Sequence, residues 1–205
     1  MNYAQFRDYL ARFLWRDGDA TFEADLDNII LMGEARLNRD LRVDEMVVTK
    51  VSDLILPTLE VPHDFLEMRS ITTGDGGVLG YISPHDMERR QLSHAHCMVP
   101  YYTKKGKYLH FHGPMTVERP VPVVMSYYAA VPDFQSTDES WLADRYSDVY
   151  VYAVLRHTGM YLKDDQRVAI WNAEYLEAVT SANNADMRQR YAGSPLISSL
   201  PGVVA

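Results

Sequence analysis

The chain has 205 residues, 47% hydrophobic and 23% charged, with a formal net charge of −8; these fractions exclude wholesale disorder and allow one good-sized core or two small layers sharing one. Net acidity opposes tight binding to a polyanion, and a single cysteine, Cys97, excludes an internal disulfide. No window reaches the ~18 apolar residues of a spanning helix, and the N-terminus has charges where a secretion signal needs an apolar run, so a soluble, non-secreted protein in a reducing compartment is expected.

Tyr3, Phe6, Leu10, Phe13 and Leu14 recur at helical spacing and predict a first helix, ended by Asp17-Gly18-Asp19. Phe22, Leu26, Ile29, Ile30, Gly33, Leu37 and Leu41 predict a second, opened by Thr21 with Glu23 and Asp25 in its first turn, where the helix dipole favours acidic groups. Gly33 within that stripe costs about 1 kcal/mol relative to Ala, so a close backbone approach is expected there. Together these helices read as an antiparallel hairpin over 1–43.

From Asp44 to Phe134 eight prolines exclude long helices and punctuate short runs such as "MVVTKVS", "LEMRSITT" and "VPVVMSYYAA". This stretch, 44–134, predicts an inserted small antiparallel sheet or sandwich of five to seven strands. "KKGK" (104–107) would be a hairpin tip and "SPHDMERRQL" (83–92) a short helix; exposed strand edges in such a layer need covering, which a neighbouring subunit can supply.

A capping box of Ser136 and Glu139 predicts a third helix running to about Lys163, and a fourth follows from Asp164-Asp165 with Val168, Trp171, Tyr175, Val179 and Ala182 on one face. These form a C-terminal helical hairpin over 135–192, closed by Gly193. Val149 to Leu155 are apolar on every face, which implies burial from more than one side, most easily by association. Residues 193–205 carry no charge and two prolines; a segment of this kind either frays or docks on a partner, and docking is expected because no charged side chain keeps it solvated. The fold class is therefore α+β, a helical bundle with two N-terminal and two long C-terminal helices, an inserted β-layer and an extended tail.

Chemistry is hinted at and then withheld. His94, His96 and Cys97 are ligand-like types without a second cluster, and His110 and His112 flank Phe111 on a strand, a pattern more usual at a surface or subunit contact than in a metal site. Asp17 to Asn28 resembles a calcium loop but has Phe22 and Asn28 where the turn glycine and bidentate glutamate belong; Gly74 to Gly80 lacks the strand and helix of a phosphate cradle. Both read as turns. No G-x-S-x-G occurs, so no catalytic residue, metal or cofactor is assigned.

Seven segments in order, "EARLNRDLR" (34–42), "VPHDFLEMRSI" (61–71), "YYTKKGKYLHFHGP" (101–114), "YYAAVP" (127–132), "SWLADRYSDVYVYAVL" (140–155), "YLKDDQRVAIWNAEY" (161–175) and "GSPL" (193–196), resemble the head-to-tail adaptor (connector) family of tailed bacteriophages, the ring beneath the portal. Ser147 stands where members often have proline. The resemblance implies a non-enzymatic virion protein at the portal vertex or neck, made in the host cytoplasm: a homo-oligomeric ring of about twelve copies. A portal protein would lie above and tail or nozzle proteins below, with DNA passing through without tight binding and no membrane involved. Such a ring would carry a charge of about −96, so it needs specific pairing between subunits. Arg36, Arg39 and Arg42, opposite Asp64 and Glu67 of a neighbour with Arg69 beside them, are expected to supply it, together with Tyr150 and Tyr152 on the third helix; the alternative is that these charges solvate an exposed helix or pair within one subunit. The portal-binding candidates are Tyr191, Pro195, Leu196, Ile197, Leu200, Val203 and Val204. Alternatives are another neck component, a stopper or tail-completion protein, or a nucleic-acid-binding module using the β-layer.

Overall fold

The computed structural model describes residues 1–92, 101–113, 118 and 120–192. In chain order it has α1 (Tyr3–Phe13), α2 (Ala20–Asp40), a 3-10 turn (Asp44–Met46), β1 (Val47–Leu54), β2 (Thr58–Glu60), β3 (Phe65–Thr73), β4 (Gly80–Tyr81), α3 (Pro84–Leu92), β5 (Tyr101–Lys105), β6 (Tyr108–Phe111) and β7 (Val121–Ala129). Then follow α4 (Phe134–Thr137), α5 (Trp141–Arg145), α6 (Ser147–Tyr161) and α7 (Asp165–Tyr191). The fold is α+β, and the chain divides into a helical unit, Met1–Val43 with the chain from Pro132 onward, and a β unit, Asp44–Val131.

In the helical unit, α1 starts with a capping box: the Asn2 side chain accepts from the Gln5 amide while the Gln5 side chain accepts from that of Asn2. Asp19 caps α2, accepting from the Thr21 and Phe22 amides at 3.2 Å each, so the cap falls two residues before the expected Thr21. α1 and α2 run antiparallel, tied by Tyr3 to Asp27 (2.7 Å) and by Arg7 to Asp27 and the Glu23 carbonyl. Phe6, Leu10 and Leu14 are buried as their spacing implies, whereas Phe13 is exposed. At Gly33 an added Cβ would lie 2.9 Å from Val154 Cγ2 and 3.3 Å from the Val154 backbone, which is the close approach expected of that glycine.

The expected helix from Ser136 to Lys163 is broken into three. Asp133 caps α4, with the Ser136 hydroxyl donating to it, so Ser136 and Glu139 form no capping box; Asp138 is left-handed (φ 54°) and ends that turn. Ser140 caps α5 through the Ala143 amide at 3.3 Å, and Tyr146 (φ −129°, ψ 50°) separates α5 from α6. Ser147 is the first residue of α6, a position where proline is favoured because its missing N–H loses nothing.

The β unit holds two sheets, β1-β7-β3 and β2-β6-β5-β4. All pairings are antiparallel except β4 on β5, so the layer is mixed where an antiparallel one was expected. Alternation along β7 sends Val123, Met125, Tyr127 and Ala129 into one core with Leu54, Ile71, Leu79, Leu109 and Phe111. Gly106, at φ +62°, and Lys107 turn β5 into β6, which places Lys104 and Lys105 in the strand rather than at the tip.

Candidate assembly surfaces

The C-terminal end of α2 carries the three arginines, and two of them are used within the helical unit. Arg36 pairs with Asp40 one turn on, and its guanidinium lies 6.0 Å from the ring centre of Tyr175 in α7. The buried Tyr175 donates its hydroxyl to Asp40 at 3.1 Å; burial first, then the Asp40 charge, pushes that phenol well above its usual range. Arg42 donates to the carbonyls of Asn38 (3.0 Å) and Leu41 (2.6 Å), acceptors of the kind a helix end leaves open. Asn183 of α7 completes the closure, giving its amide N–H to the Asp40 carbonyl at 3.0 Å and accepting from the Arg42 amide at 2.9 Å. Arg36 and Arg42 thus close their own helix end rather than turn wholly outward. Arg39 is exposed and makes no ion pair among the described residues.

In the β unit Asp64 accepts from the Tyr127 hydroxyl at 3.1 Å and Arg69 pairs with Asp44 at 2.9 Å, while Glu67 is exposed on β3, an edge strand. Tyr152 is half-buried on α6. Tyr150 is corrected outright. It is 1% exposed, stacked on Phe6 with ring centres 4.6 Å apart, and it donates to Glu34 at 2.7 Å, so it belongs to the core of its own chain. In the neighbouring run Val149, Ala153, Val154 and Leu155 are buried too, among α2, α5 and α7 of the same unit and without association, while Val151 and Tyr152 are half-buried.

Two surfaces went unread in the sequence. α7 buries Trp171, Tyr175, Val179 and Ala182, yet Ala169, Ala173, Leu176, Thr180, Met187 and Tyr191 lie exposed at the same helical spacing on a second face, interrupted by the exposed Asn184. The signal was present in the spacing, but one apolar face already accounted for a bundle helix. At the end of α1, Tyr9 and Phe13 pack at 5.9 Å and Trp15, at φ 57°, is 91% exposed. Asn183, by contrast, had no local signal, since its partner lies 141 residues away.

Among the described residues no group of three or more His, Cys, Asp or Glu is placed to hold a metal, and no helix is long and apolar enough to cross a membrane. His110 and His112 are half-buried around the buried Phe111. His94, His96 and Cys97 lie outside the described residues, as do Gly193, Pro195, Leu196, Ile197, Leu200, Val203 and Val204. A family model described as SU10 adaptor protein matches residues 1–198. The chain belongs to the SU10 adaptor protein family. No curated protein is a match. As an SU10 adaptor it is a phage structural adaptor protein, and membership of the family implies interaction with other phage neck components.

Proposed function

We propose that this SU10 adaptor is a ring-forming head-to-tail connector of about twelve copies, joining a portal above to tail or nozzle proteins below and lining the DNA exit channel without a catalytic step. The observation that carries the reading is the outward stripe of α7. A helix that has already buried one apolar face has no use inside its own subunit for a second. A neighbouring copy covers it, with Arg39 facing carboxylates such as Asp64 and Glu67, and Arg69 and Tyr152 contributing beside them. Tyr191, 71% exposed where α7 ends, begins the portal-binding segment that continues through Pro195, Leu196, Ile197, Leu200, Val203 and Val204. Electron microscopy of the protein mixed with its portal tests the reading: a ring of adaptor density seated on the portal is expected, and a chain that remains monomeric beside an unchanged portal would overturn it.

A further inference from the structure

Four of the chain's five lysines, Lys50, Lys104, Lys105 and Lys107, fall in the β unit. Lys105 is paired with Glu88 at 3.0 Å. The other three line one open cleft of about 700 Å³, with Lys50 on β1 of one sheet, Lys104 on β5 of the other and Lys107 in the turn after it. Val61, Pro62, His63, Phe65 and Gly106 form the rest of the wall, and Glu60 is its one carboxylate. All three lysines are exposed, and none makes an ion pair among the described residues; Lys104 Nζ sits 5.9 Å from the centre of the Phe65 ring.

We infer that this cleft contacts a phosphodiester backbone, without reading bases. Unpaired ammonium groups converging from two sheets, in a chain whose net charge is −8, mark a local reversal of field that the overall charge conceals. Compact ammonium groups meet phosphate oxygens as point charges, and the cleft lacks the bidentate fork of arginine that reads base edges, which suits contact with a backbone alone. The acidity of the rest of the surface keeps the contact weak and dependent on salt, the behaviour suited to a strand that is held loosely and moves. The inference stands on the cleft alone and does not require the ring.

The test is fluorescence anisotropy of a labelled DNA duplex titrated with the full-length protein at low and moderate salt. With three phosphate contacts, affinity is expected to fall by about two to three orders of magnitude for a tenfold rise in salt. The triple variant Lys50→Ala, Lys104→Ala and Lys107→Ala should lose binding with an unchanged thermal transition; the corresponding Lys→Arg triple should retain it, and Lys163→Ala should bind as wild type. Equal binding by the alanine triple, or no wild-type binding at low salt, overturns the inference. Displacement of the duplex by polyglutamate at equal charge concentration would overturn the phosphodiester assignment in favour of an acidic peptide. Displacement by inorganic pyrophosphate at equal charge concentration would overturn the backbone contact in favour of a discrete phosphate pocket.

Discussion

Glu34 is 5% exposed and receives two hydrogen bonds on the same oxygen, from the Tyr150 hydroxyl at 2.7 Å and the Phe134 amide at 3.2 Å. Burial is the largest influence on it and holds its pKa above the ordinary carboxylate value, with those two bonds pulling the other way. An acid raised on folding keeps its proton longer in the native state than in the unfolded chain. The stability it contributes is therefore complete below the unfolded pKa and is lost as pH rises through the folded one. Glu34→Gln retains an oxygen that can accept both bonds and cannot ionise, so its stability should decline less than wild type from mildly acidic to neutral pH; superimposable curves from thermal melts would contradict this. Glu34→Ala leaves a buried hydroxyl and amide without an acceptor and should cost about 2–4 kcal/mol at mildly acidic pH, the difference from wild type narrowing as pH rises. The sequence placed Glu34 within a recognisable segment, but its partners lie 100 and 116 residues away, a distance no local pattern spans.

The stripes of α1, α2 and α7 were legible because burial is one-sided and leaves a 3.6-residue period, and Gly33 was legible because a helix-interior glycine needs a reason. That reason is Val154, and the test follows from it. Gly33→Ala gains about 1 kcal/mol of helix propensity but forces a methyl against a buried β-branched side chain and its backbone, so a net loss of about 1–3 kcal/mol is expected. Adding Val154→Ala should recover part of the loss in urea melts, and strict additivity of the two changes would deny the contact. The breaks at Asp138 and Tyr146 were illegible, since no proline or glycine marks them, and the turn is held by the caps of Asp133 and Ser140. The outward stripe of α7 separates stability from assembly. Leu176→Asp with Met187→Asp changes two exposed positions and should leave the melting temperature nearly unmoved, yet abolish ring density on the portal in micrographs.

At the scale of the whole molecule, a tail with five aliphatic residues and no charge is predicted to act only through a partner: deleting 194–205 should leave the thermal transition in place and abolish co-sedimentation with portal. The net charge of −8 sets the last expectation, because each copy added to a ring approaches others of the same sign. With Arg36 and Arg42 engaged at their own helix end, Arg39 is the one of the three arginines left to offset that repulsion across an interface. Association should then depend mainly on the apolar stripe of α7, whose burial is little affected by moderate salt, while repulsion is screened. Raising ionic strength from about 0.01 M to about 0.15 M shortens the screening length from about 30 Å to about 8 Å. The weight-average mass in sedimentation equilibrium should therefore rise over that range, and Leu176→Asp with Met187→Asp should remove the rise. A mass that falls with salt would mean that ion pairs, not the α7 stripe, hold copies together, and would return the arginines of α2 to the pairing role expected of them in a ring.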